Sequence, residues 1–96
     1  MTKINGLISI ARKAGFCVIG LDKLKNHDQK LYSLIVDNKA GNSLMREVKH
    51  ISEKRGIPLV EIENLQEYVS IENCKVIGIK NKALSDNILR CIKGDD

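Results

Sequence analysis

The clearest structural signal in the chain is the segment Ala14-Gly15-Phe16-Cys17-Val18-Ile19-Gly20-Leu21-Asp22-Lys23-Leu24-Lys25. We expect a helix to end at Gly15, a short apolar strand to follow, and a second, lysine-bearing helix to begin after Gly20. The first turn of a helix presents backbone N–H groups without intrahelical partners at the positive end of the helix dipole. The segment therefore predicts an anion site at Gly20, with the rest of the chain holding it in place.

The size and composition of the chain predict one domain with an aliphatic core. Its 96 residues form a single unit, residues 1–96. A chain of this length buries somewhat over ~60% of its unfolded surface, so it can fold without metal or disulfides. Its aromatic residues are Phe16, Tyr32 and Tyr68. Because exposed bases stack on aromatic side chains, this scarcity argues against a single-strand reader built on an aromatic sheet.

The positive charge is concentrated in the first part of the chain. The sequence has 16 basic and 12 acidic residues, a net charge of +4. Residues 1–40 contain seven Lys or Arg and three Asp, whereas nine basic and nine acidic residues balance in residues 41–96. A modest basic excess is compatible with a polyanion partner, and it is equally compatible with solubility alone.

The cysteines predict neither a disulfide framework nor a zinc site. Cys17, Cys74 and Cys91 are odd in number, far apart and without a C-x-x-C motif. Each lies in an apolar run, so we expect buried, reduced thiols. The first residues do not resemble a signal peptide and no apolar run approaches the ~20 residues that span a bilayer. We therefore expect a cytoplasmic protein.

Helical and strand patterns alternate along the whole chain. A first helix capped by Thr2 has apolar residues at helical spacing, and residues 31–36 are apolar enough for a strand buried on both faces. The other predicted elements are a strand at 16–19, a weak helix at 21–30, a loop at 37–42, a helix capped by Ser43 that ends at Gly56, a strand at 59–62, a short helix at 65–68, a strand at 75–79, a helix at 83–92 and a frayed tail at 93–96. This order predicts an α/β fold, a three-layer α/β/α sandwich with a four-stranded mixed sheet.

Four short motifs, taken in order, resemble one protein family. They are Ala11-Arg12-Lys13-Ala14-Gly15 at a helix end, Gly20 after the first strand, the loop Asp37-Asn38-Lys39-Ala40, and Gly56-Ile57-Pro58 before the third strand. The chain thereby resembles, over essentially its whole length, the small bacterial members of the L-seven-Ae/L-thirty-e group of ribosomal proteins. The resemblance implies an L-thirty-e-like sandwich that binds kink-turn RNA, a sharply bent internal loop with sheared G·A pairs.

The resemblance also implies where the RNA is bound. The matching positions are Gly20, Leu21, Asp22, Lys23, Lys25 and Asn26 around the second helix, Asn38 and Lys39 after the second strand, and Ile71, Glu72 and Asn73 before the last strand. Gly20 would let the RNA backbone approach, and the lysines would neutralise phosphates. Ile71 would seat an unstacked base. The implied partner is kink-turn-like RNA, such as rRNA or a structured mRNA element, beside ribosomal or other ribonucleoprotein proteins; we expect a monomer and no membrane partner.

The residues that would read the bases depart from the family pattern. A small residue, Asn and Glu are usual where this chain has Leu21, Asp22 and Lys23, and a lysine is usual at Asn26. Leu21 has no polar side-chain atom, whereas Lys23 can meet phosphate or guanine O6 and N7. Two functions therefore stay open. One is an RNA-binding protein, and the other is a protein-interaction module on the same fold that has lost specific kink-turn binding.

Nothing in the sequence predicts catalysis. His27 and His50 are isolated and expected on the surface, and Glu61 and Glu63 have no nucleophile or metal ligand nearby in sequence. There is no G-x-S-x-G motif, P-loop or dinucleotide fingerprint. We therefore expect a non-enzymatic protein without cofactor or metal.

Overall fold

The computed structural model describes residues 3–93, which form nine regular elements. In chain order they are α1 (Lys3–Lys13), β1 (Cys17–Ile19), α2 (Leu21–Lys25), β2 (Ser33–Asp37), α3 (Asn42–Arg55), β3 (Leu59–Ile62), α4 (Leu65–Val69), β4 (Val76–Ile79) and α5 (Lys82–Lys93). The predicted cap at Thr2 and residues 94–96 of the predicted tail lie outside the described residues. Within residues 3–93, no helix is both long enough and apolar enough to cross a membrane.

The four strands form one mixed sheet in the order β1-β4-β2-β3. β4 runs antiparallel to both neighbours, β1 and β2, while β3 pairs with β2 in parallel. In this register Val18 lies opposite Gly78, and Ile35 lies opposite Ile77. The last strand in sequence is therefore an inner strand of the sheet, between two strands from the first part of the chain.

Helices cover both faces of the sheet. The face under α1, α4 and α5 holds one apolar cluster, which includes Ile8, Ile35, Leu65, Ile77 and Ile88. The face under α2 and α3 holds a second cluster, which includes Leu24, Leu34, Val36, Val48 and Val76. Because strand side chains alternate between faces, adjacent residues of β2 feed different clusters and every residue of β2 is buried. The predicted α/β/α sandwich with a four-stranded mixed sheet is confirmed.

Two helix boundaries differ from the prediction by more than one residue, and Lys93, predicted to belong to the frayed tail, is the last residue of α5. The second helix ends at Lys25 instead of near residue 30, because the next residues turn towards α3, where the guanidinium of Arg55 donates to the carbonyl of His27. The backbone N–H and the side-chain amide of Asn26 both donate to the carbonyl of Asp22 in the last turn. The third helix begins at Asn42 after Gly41, whose backbone is extended, so Ser43 lies inside the first turn and is not the cap.

The three cysteines are free, but only one of them is fully buried. Cys74 lies in the core, while Cys17 and Cys91 are partly exposed. Burial raises the pKa of the Cys17 thiol to about 11, and the nearby Cys74 adds to the shift. Burial likewise raises the pKa of Cys74. Both thiols are therefore protonated at neutral pH and behave as small apolar groups.

The histidines differ from each other. His50 is exposed on α3, as predicted. His27 is partly covered, and its Nε2 atom is buried with no hydrogen-bond partner among residues 3–93. The expectation of an ordinary surface residue is therefore wrong for His27, because the segment after α2 folds back towards the end of α3.

Gly78 is where α2 comes close to the sheet. A Cβ added at Gly78 would lie 2.6 Å from Cδ2 of Leu24 and 3.3 Å from Cδ2 of Leu31. Leu24 is completely buried, so its side chain has little space into which it can move. Because Gly78 has no side chain, α2 can pack closely against β4, and this packing positions Gly20 at the start of α2.

We expect Gly78→Ala to lower the free energy of unfolding by about 1–3 kcal/mol, because overpacking displaces Leu24 and strains the buried face. Chemical denaturation of both proteins measures the difference. Gly6→Ala is the matched control: Gly6 lies in α1 with open space around its Cβ position, so the same change should stabilise the helix by up to about 1 kcal/mol. Equal effects of the two substitutions would contradict the proposed close approach.

Candidate functional site

The sheet topology brings three separate segments to one end of the sheet. The backbone N–H of Gly20, after β1, donates to the carbonyl of Val76 at 3.1 Å. The N–H of Asp37, at the end of β2, donates to the carbonyl of Lys75 at 2.8 Å. The start of β4 is thus held between the ends of β1 and β2. We call residues 20–26, 38–39 and 71–75, which surround this point, the loop cluster.

The backbone at Gly20 requires glycine. Its φ of 92° and ψ of 152° lie in a region that is essentially restricted to glycine. Apart from Gly20 and its two neighbours in the chain, no atom of residues 3–93 lies within 4 Å of the position that a Cβ would occupy there, so the space in front of this backbone is open. The predicted helix after Gly20 is present, but it has only five residues. Its dipole is correspondingly small, so the helix end alone offers only a weak attraction to an anion.

Several of the predicted α2 side chains are engaged within the protein. Asp22 and Lys23 are exposed, whereas Leu21 is half-buried and packs against the apolar cluster under α2 and α3. Lys25 forms an ion pair with Glu47 of α3, with 2.7 Å between Nζ and Oε2. The side-chain amide of Asn26 is used in closing α2. Among the contacts of residues 3–93, the side chains of Asp22 and Lys23 are the polar groups of α2 that are not engaged with another residue.

The loop after β2 is organised by the buried carboxylate of Asp37. Its Oδ1 accepts the N–H of Lys39 at 2.8 Å, and its Oδ2 accepts the N–H of Leu65, the first residue of α4, at 3.0 Å. The N–H of Ala40 donates to the Asp37 carbonyl and completes a turn. The turn leaves the side chains of Asn38 and Lys39 exposed at the end of the sheet where β4 begins.

The segment before β4 is a hydrogen-bonded turn rather than a loose loop. The N–H of Asn73 donates to the side-chain Oε1 of Gln66 on α4 at 3.0 Å, and Asn73 has a left-handed φ of 63°. The N–H of Cys74 donates to the carbonyl of Ile71. Ile71 is half-buried against the core, while Glu72 and Asn73 are exposed. The apolar seat predicted at Ile71 is therefore only partly available.

Three residues of this site were missed by sequence reasoning. The sequence predicts Lys75 inside the last strand, whereas it lies just before β4 and is partly exposed between Gly20 and Asp37. Asp37 is expected only as a turn residue, although it is 2% exposed and its carboxylate ties the end of β2 and the following turn to the start of α4. Gln66 was assigned no role, and it holds the turn at Asn73. An aspartate directly after a continuous apolar strand was the available signal for Asp37; the other two depend on strand order.

The loop cluster is mildly cationic. It contains four lysines, at positions 23, 25, 39 and 75, and two carboxylates, at positions 22 and 72. One of the lysines, Lys25, is paired with Glu47 outside the cluster. None of the described residues forms a group of three or more His, Cys, Asp or Glu that could hold a metal ion. Chemically, the cluster offers ammonium groups, carboxamides and an accessible glycine backbone, which suit contacts with phosphates and base edges.

Solved structures share this architecture. The chain is similar to a protein of unknown function from Bacillus halodurans C, with a TM-score of 0.84 and 19% identity over 97% of this chain and 99% of that one. It is also similar to the Giardia lamblia 15.5kD RNA binding protein, with a TM-score of 0.64 and 19% identity over 95% of this chain and 82% of that one. No family model matches the chain, and no curated protein matches it either. At these identities the likeness establishes the fold.

Proposed function

We propose that the protein binds structured RNA at the loop cluster and stabilises a sharply bent, kink-turn-like conformation. The observation that carries this proposal is the meeting of Gly20, the turn after β2 and the turn before β4 at one end of the sheet. These are the three segments that the L-seven-Ae/L-thirty-e resemblance assigns to RNA. The Giardia lamblia neighbour of the same fold is an RNA binding protein, which supports the same partner.

The residues of the loop cluster suggest how bent RNA would be held. Lys23, Lys39 and Lys75 come from three different segments, so their ammonium groups can neutralise phosphates that a sharp bend brings together. The open backbone at Gly20 lets an RNA strand approach closely. Asp22 and Asn38 supply an acceptor and a carboxamide for base edges. Because these contacts exist only with the bent conformer, binding shifts the RNA towards it, without a chemical step.

The cellular setting follows from this role. A protein that stabilises bent RNA fits a ribosome or another ribonucleoprotein particle in the cytoplasm, where it would act as a monomeric, non-enzymatic component. The RNA would be rRNA or a structured mRNA element.

One observation favours the second function, a protein-interaction module on the same fold. Leu21 packs against the core and the amide of Asn26 is bound to Asp22, so two positions used for reading RNA in the family are engaged within the protein. On this alternative the fold would be retained without specific kink-turn binding, and the loop cluster would attract RNA only through its charge.

A salt titration separates the two functions. We expect the wild-type protein to bind a standard kink-turn RNA at least about tenfold more tightly than a straight duplex of equal length, since only the bent RNA reaches all three segments of the loop cluster. The logarithm of the affinity should fall linearly with the logarithm of the salt concentration for both RNAs. Equal, weak binding to the two RNAs would exclude the proposed specificity and leave the protein-interaction module.

A further inference from the structure

Two depressions lie side by side on the α2–α3 face of the molecule. The first, of about 350 Å³, is lined by Lys25, Glu47, His50, Ile51, Lys54 and Arg55. The second, of about 610 Å³, is lined by residues 27–31 and 55–57. Both are open to solvent, and Arg55 lines both. We call them together the twin grooves.

The twin grooves and the loop cluster each have four cationic side chains and two carboxylates. When the Lys25–Glu47 ion pair is left out, an excess of two positive charges remains in the twin grooves but only one in the loop cluster. The permanently charged side chains of the twin grooves are those of Lys25, Lys30, Lys54 and Arg55 against Glu47 and Asp28, and two imidazoles, those of His27 and His50, lie among them. The excess of two positive charges is spread along the surface and is not focused on one point. Spaced cations in open depressions suit an extended polyanion better than a small anionic ligand.

The walls of the twin grooves are fixed by contacts between elements. The guanidinium of Arg55 donates through Nη2 to the backbone carbonyl of His27 at 2.8 Å, which ties the segment after α2 to the end of α3. A guanidinium has five N–H donors, so Arg55 keeps further donors for an anion. Lys30 is placed with its Nζ atom 5.4 Å from the ring centroid of Tyr32. The cations are therefore partly preorganised.

The twin grooves continue the loop cluster. Lys25 belongs to both, because the loop cluster includes all of α2 and the last residue of this helix also lines the first groove. At a rise of about 1.5 Å per residue, the five residues of α2 separate its two ends by only about 7 Å. The sugar-phosphate backbone of a nucleic acid bound at the loop cluster would therefore also reach the twin grooves.

We propose that the twin grooves bind the phosphate backbone of a duplex stem that flanks the RNA bend. This inference rests on the proposed function, since the loop cluster must hold the bend itself. Contacts in the grooves are with phosphates and carry no base readout, so they add affinity and orient the stem without changing which bend is preferred.

The first test compares two lysines of the same helix. Lys54 lines the first groove, whereas Lys49 is exposed on α3 outside both grooves, and Lys54→Gln and Lys49→Gln change the net charge equally. With a kink-turn RNA whose two stems are extended, Lys54→Gln should weaken binding about threefold to tenfold and reduce the salt slope by about one, as expected for one lost phosphate contact. Lys49→Gln should have a clearly smaller effect, and with stems trimmed close to the bend the two variants should become alike.

The second test should increase the affinity. Glu47→Gln removes a carboxylate from the first groove and releases Lys25 from its ion pair, at little cost in stability because exposed pairs contribute at most about 1 kcal/mol. Tighter binding to the RNA with extended stems is expected. Glu53→Gln, on an exposed position of the same helix outside both grooves, is the control and should have less effect.

The results distinguish the two proposals. Equal effects within both pairs of variants, with the preference of the wild-type protein for bent RNA intact, would overturn the role of the twin grooves and leave the proposed function standing. No preference of the wild-type protein for the bent RNA would overturn both proposals. A selective loss for Lys54→Gln together with a selective gain for Glu47→Gln would support the twin grooves as the seat of the stem.

Discussion

Replacement of Asp37 by alanine is expected to lower the free energy of unfolding by about 3 kcal/mol, the largest loss of stability that we predict for a single substitution. The carboxylate is 2% exposed and accepts hydrogen bonds from the backbone N–H groups of Lys39 and Leu65. Alanine leaves the donor of buried Leu65 without its acceptor and removes two charge-assisted bonds, each worth about 1.5–3 kcal/mol. For a domain of this size, the melting temperature should fall by at least about 10 °C.

The controls for this prediction separate the hydrogen bonds from the charge. Asp28 is exposed, so Asp28→Ala should change the free energy of unfolding by no more than about 0.5 kcal/mol. Asp37→Asn retains one acceptor and turns an amide donor towards a backbone N–H. Its loss of unfolding free energy should therefore lie between those of Asp28→Ala and Asp37→Ala. Thermal and denaturant unfolding measure all three variants. If Asp37→Ala were no more harmful than Asp28→Ala, the carboxylate would not be the joint between β2 and α4.

The order of the elements was predictable from the sequence because each has a local signal. The strand at residues 31–36 is a nearly continuous apolar run, and β2 is indeed buried on both faces. Gly15 and Gly56, predicted as helix ends, both have the left-handed φ that favours glycine after a helix. The errors occur where tertiary contacts override local patterns: α2 stops at Lys25 because the next residues turn to meet α3, a contact that no local window contains.

The candidate site was less predictable than the fold. The sequence assigns Gly20 and Asn38 to one site only through a family resemblance, since their positions at the same end of the sheet depend on β4 lying between β1 and β2. For the same reason Lys75, which lies between them, was missed. The sequence predicts that Lys25 contacts phosphate, yet Lys25 is paired with Glu47, which lies 22 positions later in the chain. No sequence motif links these two residues. Ion pairs between elements are decided by helix packing, which residue types alone do not specify.

The largest effect on binding is expected from the three lysines that the topology brings to the loop cluster. The triple variant Lys23→Gln, Lys39→Gln and Lys75→Gln should weaken binding to kink-turn RNA on the order of 10²-fold at moderate salt, since each lost phosphate contact reduces the salt slope by about 0.9. Lys23 and Lys39 are exposed and Lys75 is partly exposed, so the fold should tolerate the change. A salt titration of affinity, with circular dichroism to check folding, measures both effects.

A control with the same loss of charge shows whether position or total charge matters. Lys13 and Lys82 lie at the opposite end of the sheet, where β1 begins and β4 ends, and Lys49 lies on the outer surface of α3. Replacing these three lysines by glutamine lowers the net charge by the same amount as the first variant. If the two triple variants weakened binding equally, RNA would be held by overall charge alone, and the protein-interaction module would become the better explanation of the fold. A loss confined to the first variant requires that the phosphates lie where β1, β2 and β4 meet, because those three lysines share that end of the sheet and are brought together there only by the strand order.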